Sequence, residues 1–463
     1  MIVMKFGGTS VEDARAMENV IGIVTKEQQR RPVVVLSAIA GATNALLKSA
    51  DIALEGNLEG AHAELNLLLE RHVLVLENLI SGRAEIQQLI LAIRKRFDEL
   101  KTLCQGIAIL GELTNRSRDS IASVGEQLST LILSHALAQR RFPIALVDAR
   151  SFMITDDQFA AAIPDLELVG RKANEHILPL IESGKIVITQ GFIGSTRKGI
   201  TTTLGRGGSD YSAAIIGAAL NAEEIQIWTD VDGVLTADPR IASAAKKLKV
   251  ISFREASELA YFGAKVLHPS TILPAVEKNI PVIVLNSKRP QSTGTRIVAQ
   301  PPKSNAVVKS IASKKGITVI NIQSTRMLMA YGFLSSIFAV FQKHKTAVDL
   351  VATSEVAVSL TIDNSSHLEH VVSELQEFAE VTVFEQKAIV CVVGEQMRST
   401  VGVVDRVFRA LNDVEVIMIS QGASEINMSL VVDESSVTQA VQQLHREFFE
   451  PVPELDLFEQ VDA

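Results

Sequence analysis

Short apolar runs rich in β-branched residues alternate with helical segments through the N-terminal part of this 463-residue chain. Strands that are buried on both faces have this nearly continuous apolar character, whereas half-exposed strands alternate with polar residues. The pattern predicts an α/β domain with a mostly parallel sheet and helices on both faces. The predicted strands cover residues 2–6, 32–38, 144–148, 185–192, 224–230 and 281–285, and residues 44–141 are mostly helical in pattern.

Glycines and polar residues come directly after several of these predicted strands. Gly7 and Gly8 follow the first strand, Ser37 lies at the end of the second, and Thr229 and Asp230 end a later one. Ligands of open α/β sheets bind at the carboxyl ends of the strands. We therefore expect a ligand site at this edge of the sheet.

The composition excludes several classes of partner. The net charge is -8 with no strongly basic stretch, and only 5% of residues are aromatic, which argues against nucleic acid. Two cysteines far apart in sequence, with no CxxC or HExxH motif, predict a reducing compartment and no metal site. The N-terminal apolar run is too short for a signal peptide, and no stretch approaches a membrane span of about 20 residues. We expect a cytoplasmic protein with no membrane partner.

An internal repeat follows a predicted linker at residues 299–305. Gly332 matches Gly402 and Ser354 matches Ser424, a constant shift of 70 residues without gaps (402 − 332 = 424 − 354 = 70). Each copy has the pattern helix, strand, strand, helix, strand. Two small α+β units after a larger α/β domain indicate a sensor attached to an enzyme, with a duplicated structural or dimerisation module as the alternative.

The sequence TLGRGGSD, residues 203–210, predicts a phosphate-binding or carboxylate-binding loop. Glycines let a backbone approach a ligand closely, and Ser209 and Asp210 are good N-cap residues for the apolar helix that follows. A loop that delivers a helix N-terminus is a natural anion site. The alternative interpretation is a flexible loop with an ordinary helix cap.

The charged residues near these motifs have types that suit phosphate and amino-acid chemistry. The chain lacks GxxxxGK[ST] and GxGxxG, which argues against P-loop, protein-kinase and dinucleotide folds. Lys5 lies at the end of an apolar strand, just before two glycines. This position favours a lysine that contacts phosphate over one that is solvated at the surface. Arg206 suits a carboxylate, and Asp210 can hold Lys5 or a substrate ammonium. Glu126 is either a plain acid in a first helical turn or a second ammonium acceptor.

A resemblance to a known family rests on motifs that run in order along essentially the whole chain. The motifs are KFGGTSV, LSAIAGATN, VGEQLST, ITQGFIGS, TTTLGRGGSDYSAA, IWTDVDGVLTADPR and FGAKVLHP. Together they resemble the aspartokinases, members of the amino-acid kinase superfamily. GFLSSIFAVFQKH and VDLVATSEVAVSLTID resemble the first ACT domain of the lysine-sensitive monofunctional type.

This resemblance implies transfer of the ATP γ-phosphoryl group to the side-chain carboxylate of L-aspartate, giving 4-phospho-L-aspartate. That reaction begins the biosynthesis of lysine, threonine and methionine, uses ATP with Mg²⁺, and is inhibited by L-lysine. The alternatives are a related kinase for glutamate, N-acetylglutamate or a nucleoside monophosphate, and a catalytically inactive regulator that binds amino acids.

The resemblance also implies roles for individual residues. Lys5 would hold the transferring phosphoryl group, and Asp210 would orient Lys5 and the substrate amine. His268 would be structural, and Leu235 stands where related enzymes often carry a tyrosine near the adenosine. The implied aspartate-binding residues are Thr43, Glu126, Phe192, Arg206 and Ser209. The implied nucleotide-binding residues are Lys5, Gly7, Gly8, Ser37, Thr229, Asp230, Arg240 and Lys265.

The C-terminal part would contain two ACT domains of βαββαβ type, one inserted in the other. The kinase domain would span residues 1–298, the first ACT domain 316–385, and the second 306–315 with 386–463. The family implies a homodimer through ACT pairing, or a tetramer, and no second enzymatic domain. The predicted effector residues are Met327, Gly332, Phe333, Leu334, Val348, Asp349, Thr353, Ser354 and Glu355.

Overall fold

The structure of the chain is a computed structural model. It describes residues 1–263, 267, 269–302, 304, 306–324, 331–422, 424–450 and 457–460. Within these ranges no helix combines the length and apolar character that crossing a membrane requires. The chain forms two compact units, one of Met1–Gly233 with Val266–Pro301 and one of Val234–Lys265 with Pro302–Ala463.

The secondary structure follows the predicted alternation. The strands are β1 (Ile2–Phe6), β2 (Pro32–Leu36), β3 (Ile144–Val147), β4 (Ile154–Thr155), β5 (Ile186–Gln190), β6 (Ile193–Thr196), β7 (Thr201–Thr203), β8 (Ile225–Thr229), β9 (Lys246–Leu248), β10 (Val250–Ser252), β11 (Val282–Asn286), β12 (Thr295–Val298), β13 (Val308–Gln323), β14 (Val351–Thr353), β15 (Ala357–Ile362), β16 (Glu380–Gly394), β17 (Val416–Gln421), β18 (Asn427–Asp433) and β19 (Phe458–Gln460). The helices are α1 (Ala14–Lys26), α2 (Ala42–Leu54), α3 (Leu58–Leu79), α4 (Arg83–Leu110), α5 (Asn115–Ala122), α6 (Val124–Gln139), α7 (Leu166–His176), α8 (Leu178–Glu182), α9 (Gly208–Ala219), α10 (Phe253–Tyr261), α11 (Leu273–Glu277), α12 (Phe333–Lys343), α13 (Leu368–Leu375), α14 (Val403–Ala410) and α15 (Val437–Phe449).

The first unit is built on one large sheet, in which its strands follow the order β12-β11-β8-β1-β2-β5-β3. All neighbours from β11 to β3 are parallel, and β12 pairs antiparallel with β11 at the edge. This confirms the predicted α/β class with a mostly parallel sheet. The parallel arrangement brings the ends of β1, β2 and β8 to one edge of the sheet.

The alternation of side chains along β1 divides its residues between two faces of the sheet. Met4 and Phe6 enter the apolar core formed with α1, α2, α3, α4 and α6. Lys5 points to the opposite face, where α9 packs against β1, β2 and β8. Helices therefore cover both faces, and a charged residue in an otherwise apolar strand reaches the start of α9.

The second unit contains a single six-stranded antiparallel sheet that holds both repeat copies. Its order is β14-β15-β13-β16-β18-β17. The long strands β13 and β16 pair along their lengths, with register shifts between Lys315 and Ile317, across Gly316, and between Ile317 and Val319. Gly316 (φ 74) and Gln386 (φ 54) both have left-handed backbone conformations at this point. One half of each strand therefore serves one copy of the repeat, and the other half serves the second copy.

A buried ion pair joins β13 to α10 inside this second unit. Lys309 Nζ lies 2.8 Å from Glu255 Oε1, and both side chains are only 1% exposed. The other oxygen of Glu255 accepts hydrogen bonds from the amide and hydroxyl of Ser252, which completes a capping box at the start of α10. Loss of one partner would leave the other charge buried without compensation.

We expect Lys309→Met to destabilise the second unit by about 3–5 kcal/mol, because it leaves the Glu255 carboxylate buried and unpaired. Lys315→Met, at an exposed position of the same strand, is the matched control and should be nearly neutral. Urea denaturation followed by circular dichroism measures both variants. Equal stability of the two variants would contradict the importance of the ion pair.

Candidate active site

One cleft in the first unit collects most of the predicted site residues. It has a volume of about 390 Å³ and lies where β1 and β2 end and α2 and α9 begin. Its lining residues are Lys5, Gly8, Ser37, Ala38, Ile39, Ala40, Gly41, Thr43, Asn44, Glu126, Phe192, Gly205, Arg206, Gly207, Gly208, Ser209 and Asp210. A cleft therefore lies at the carboxyl edge of the sheet, where the sequence predicts a ligand site.

An ion pair between Lys5 and Asp210 lies in this cleft. Lys5 Nζ is 2.6 Å from Asp210 Oδ1, and the two side chains are 11% and 17% exposed. Lys5 comes from the end of β1 and Asp210 from the first turn of α9. The pair holds an ammonium group at the N-terminus of a helix, where the helix dipole also favours an anion.

The glycine-rich loop begins α9 earlier than the sequence indicates. The N-cap residue is Gly207 (φ 71), so Ser209 and Asp210 lie inside the first turn, and their predicted role as caps is wrong. The left-handed backbone at Gly207 is the physical reason, since glycine adopts it without strain and starts the helix there. Asp210 is thereby free to pair with Lys5 instead of with helix amides.

A close backbone approach fixes Phe192 against the start of α9. A Cβ atom at Gly208 would lie 2.7 Å from Phe192 Cδ2, so only glycine fits there. Phe192 itself has a positive φ of 67, and its amide donates to Ser212 Oγ at 3.0 Å. The end of β5 and the glycine-rich loop are thus held together at the wall of the cleft.

Glu126 is a buried carboxylate that faces the cleft. Its residue is 3% exposed, and Oε1 accepts the amide of Ala38 at 3.1 Å. Its Oε2 atom is buried and has no hydrogen-bond partner within the described part of the chain. Burial raises the pKa of Glu126 from the ordinary 4.5 to about 8. A cationic ligand group would supply the partner that this oxygen lacks.

The loop after β2 forms the wall opposite α9 and is held from both sides. The amide of Ala40 donates to Gly8 O at 3.1 Å. Arg71 on α3 donates to Ala40 O at 2.6 Å and to Glu12 O at 3.1 Å. The loops that follow β1 and β2 are therefore tied to each other and to α3.

The remaining predicted substrate residues differ in exposure. Arg206 lies on the glycine-rich loop and is exposed, with no ion pair to any described residue. Thr43 lies in the first turn of α2, and the carbonyl of Ser37 accepts a hydrogen bond from Ser129 Oγ at 2.8 Å. A cation without a partner at the edge of a cleft can meet an anionic ligand directly.

The predicted nucleotide residues are more scattered. Gly7 donates its amide to Trp228 O at 2.9 Å, and Thr229 and Asp230 follow at the end of β8, outside the residues that line the cleft. Arg240 belongs to the second unit, where it forms an ion pair with Asp238 at 2.6 Å. Lys265 and His268 lie outside the described residues.

The predicted effector residues belong to the first repeat copy. Asp349 is not a solvated strand end, because its side chain is 3% exposed and Oδ1 accepts the Tyr261 hydroxyl at 2.6 Å. Lys314 Nζ lies 3.5 Å from the same oxygen and 2.7 Å from Asp363 Oδ2. The buried Oδ2 atom of Asp349 has no partner among the described residues.

The other effector positions surround the ends of α12, β14 and β15. Gly332 is the N-cap of α12 with φ 85, Phe333 and Leu334 form its first turn, and Glu355 is exposed. Val348 precedes β14, Thr353 ends it, and Ser354 follows. Met327 lies outside the described residues.

Comparison with known proteins decides the family. The sequence model of the amino acid kinase family matches residues 1–286, and that of the ACT domain matches residues 390–448. The lysine-sensitive aspartokinase 3 of Escherichia coli K12 is 39% identical over 97% of this chain and 99% of its own length. The chain belongs to the aspartokinase family.

Solved structures of this family share the whole fold. The crystal structure of E. coli aspartokinase III in complex with aspartate and ADP (R-state) matches with a TM-score of 0.81 and 38% identity, over 97% of this chain and 100% of that chain. The complex with lysine and aspartate (T-state) matches with a TM-score of 0.80 and 37% identity, over 97% and 99%. The family and fold predicted from the motifs are confirmed.

Several cleft residues were not singled out from the sequence. Asn44 and the backbone of residues 38–41 line the cleft, as do Gly205 and Gly207. All of them lie inside the motifs LSAIAGATN and TLGRGGSD. None of these residues carries a charge that would mark it in the sequence, and their place at the cleft is visible only in the folded chain.

We expect Glu126→Gln to change the pH dependence of stability. An acid whose pKa is higher in the folded state binds its proton more tightly there, so wild-type stability falls as pH rises from about 4.5 to about 8. The glutamine side chain does not titrate. The stability of the variant relative to wild type should therefore increase between about pH 5 and pH 8, measured by urea denaturation of the ligand-free protein. A difference that stays constant with pH would contradict the assignment.

Proposed function

We propose that this chain catalyses transfer of the ATP γ-phosphoryl group to the side-chain carboxylate of L-aspartate, forming 4-phospho-L-aspartate. The observation that carries the proposal is that the Lys5–Asp210 ion pair, the N-terminus of α9 and the buried carboxylate of Glu126 meet in one cleft. The reaction brings two anions together, so the site must supply positive charge. The aspartate carboxylate is already ionised near pH 7 and needs no general base.

Lys5 would contact the phosphoryl group during transfer, with Asp210 fixing its position. Support comes from the 2.6 Å ion pair, which holds the Lys5 ammonium beside the amide groups at the start of α9. The Lys5 ammonium and these amide groups are in place before negative charge develops on the transferring phosphoryl group. Donors that are preorganised in this way stabilise a transition state strongly in a site shielded from water. Gly8 and Ser37 lie at the same edge of the sheet.

Aspartate would be recognised by its three charged groups. The exposed Arg206 suits a substrate carboxylate, and the unpartnered Oε2 of Glu126 suits the α-ammonium group. Thr43, Phe192 and Ser209 line the same cleft and would define its shape. Because a glutamate side chain is one methylene longer, the second carboxylate would be displaced relative to the phosphoryl group.

ATP would approach from the β8 side, where Gly7, Thr229 and Asp230 follow the ends of β1 and β8. Arg240 and Lys265 remain proposed nucleotide contacts from the family resemblance. The described residues contain no group of three or more His, Cys, Asp or Glu side chains able to hold a metal ion. Mg²⁺ would bind mainly through the phosphate oxygens of ATP, where it would neutralise part of their charge.

Feedback inhibition by L-lysine would act through the first repeat copy. The support is the shielded carboxylate of Asp349, whose Oδ2 atom has no partner among the described residues. Asp349 already faces the ammonium group of Lys314, so its surroundings accept this kind of charge. In the second copy Ile419 stands at the matching position (349 + 70 = 419), and we expect that copy to bind lysine poorly.

The domain division, assembly and location stay proposals. The ACT boundaries at 315/316 and 385/386 are supported by the left-handed residues Gly316 and Gln386. A homodimer through the ACT domains, or a tetramer, is supported by Leu334 and Phe338, which lie one turn apart on α12 and are 40% and 41% exposed. A cytoplasmic location is supported by Cys104 and Cys391, which are buried free thiols.

We expect Lys5→Met and Asp210→Asn each to lower kcat by about 10²–10³-fold, because each removes one half of the ion pair at the reacting phosphoryl group. Lys185→Met, at an exposed lysine before β5, is the control and should retain activity. An ATP-coupled hydroxamate assay with aspartate and with glutamate measures the effect. Near wild-type turnover in Lys5→Met, or preference for glutamate, would refute the proposal.

We expect Arg206→Ala to raise the aspartate KM with little change in the ATP KM, because the guanidinium contacts the amino-acid carboxylate. Arg94→Ala, at an exposed position on α4, should change neither constant. Steady-state kinetics with each substrate varied in turn separate the two. Equal increases for aspartate and ATP would move Arg206 to the phosphate side of the site.

We expect Asp349→Ala to move half-inhibition to about tenfold or more higher lysine while kcat is retained, a change within the usual range of allosteric coupling. Glu425→Ala, at the matching position of Glu355 in the second copy, should have little effect. Tyr261→Phe removes the hydroxyl bound to Asp349 but keeps the carboxylate, and it controls for that hydrogen bond. Unchanged lysine sensitivity in Asp349→Ala, or lysine competing directly with aspartate, would overturn this role.

A further inference from the structure

A second buried carboxylate of the first unit lies outside the set of residues that line the cleft, and so do its hydrogen-bond partners. Asp119 on α5 is 2% exposed and forms no ion pair with any lysine or arginine of the described residues. Both of its oxygens accept the amide of Ala160 at 3.0 Å. Oδ2 also accepts the amide of Thr203 at 2.9 Å, and Oδ1 accepts the Thr203 hydroxyl at 2.7 Å.

Two of these hydrogen bonds hold Thr203, the residue at which the glycine-rich loop begins. Thr203 is the last residue of β7, and the next residues lead through Gly205 and Arg206 to the start of α9. Ala160, which has a positive φ of 71, packs under the loop: its carbonyl oxygen lies 3.1 Å from where a Cβ atom at Gly205 would be. Asp119 therefore holds both the strand that leads into the loop and the segment on which the loop rests.

We propose that Asp119 is a positioning residue for the phosphoryl-transfer site: by tying Thr203 and Ala160 together, it sets the path of the glycine-rich loop and hence the place of Arg206. The proposal rests on the proposed role of Arg206 in binding aspartate. Asp119 does not line the cleft and would touch neither substrate. Its effect would pass entirely through the loop.

The chemistry of the contacts requires a carboxylate at this position. All the groups that face Asp119 in these contacts are donors: two backbone amides and one hydroxyl. A carboxylate accepts at both oxygens, whereas an asparagine in either orientation would place its NH2 group against the Ala160 amide, a donor that cannot accept it. A buried carboxylate without a cation is costly, so the four hydrogen bonds from backbone and hydroxyl groups are needed to hold it there.

The glycine-rich loop needs an anchor because its own charged side chain does not hold it in place. Arg206 is exposed and has no protein partner among the described residues, so nothing at its own side chain fixes the loop in the absence of ligand. The amide of Ala162 donates to Thr203 O at 2.9 Å. The segment that contains Ala160 and Ala162 is therefore bound to β7 directly as well as through Asp119. A displacement of about 1 Å at a reacting group is enough to lower a rate strongly.

The test is Asp119→Asn, compared with Asp165→Asn. Asp165 caps α7 by accepting Leu168 N at 3.1 Å, shortly after the same segment, and takes no part in the cleft. We expect Asp119→Asn to raise the aspartate KM about tenfold or more with the ATP KM within about twofold of wild type, and Asp165→Asn to change neither. Where Arg206→Ala itself raises the aspartate KM, equal changes of both KM values in Asp119→Asn, or no change, would overturn the proposal.

Hydrogen exchange on the ligand-free protein separates this inference from the role of Arg206. Peptides covering residues 203–208 should exchange faster in Asp119→Asn than in wild type, whatever Arg206 binds. If Arg206→Ala leaves the aspartate KM unchanged, the Arg206 assignment fails, while faster loop exchange with a lower kcat still supports the anchor. Unchanged exchange in the loop would overturn the anchor even if Arg206 binds aspartate.

Thr203→Val keeps the proposal testable if Asp119→Asn does not fold. This change removes only the hydroxyl donor and keeps the backbone amide bound to Asp119. We expect a smaller increase of the aspartate KM with the same selectivity over ATP, and serine at this position should restore wild-type constants. Failure of Thr203→Ser to restore what Thr203→Val loses would contradict a role through the hydroxyl.

Discussion

The Lys5–Asp210 ion pair is the interaction on which the geometry of the site depends. It joins the end of the central strand β1 to the first turn of α9, two elements far apart in sequence. The position of Lys5 follows from the alternation of side chains along β1. Met4 and Phe6 pack into the apolar core on one face of the sheet, so Lys5 points to the other face. The nearly buried charge of Lys5 is tolerated because the carboxylate of Asp210 pairs with it. The cation is therefore fixed by the folding of the sheet itself.

Around this pair, the site uses buried acids in two different ways. Glu126, which lines the cleft, keeps one buried oxygen without a partner among the described residues, so its environment favours the neutral form in the absence of a cationic ligand. Asp119 has every contact satisfied by donors that belong to the protein. One carboxylate is thus left available for a ligand, and the other is used to shape the loop. The difference lies in the partners, since both residues are almost completely buried.

Much of the fold could be read from the sequence, since apolar strands that are buried on both faces leave an unmistakable pattern of residues. The central strands appear within a residue or two of their predicted bounds, and the site lies at the predicted edge. What could not be predicted has a common physical cause. The start of α9 at Gly207 depends on a left-handed backbone, and the role of Asp119 depends on donors 41 and 84 residues away. Neither backbone conformation nor long-range hydrogen bonding is visible in residue type alone.

The repeat shows how identical residues acquire different tasks through their neighbours. Ser354 in the first copy bonds locally, accepting the amide of Ala357 at 3.1 Å. Its counterpart Ser424 donates to Glu258 Oε1 of α10 at 3.2 Å, and Asn427 donates to the other oxygen at 2.6 Å. One turn further along α10, Tyr261 binds Asp349 of the first copy. The same helix therefore uses one face to contact both copies, with a carboxylate for the second and a hydroxyl for the first. Because the second copy uses its serine to bind α10, duplication of the sequence has not produced two copies with equivalent contacts.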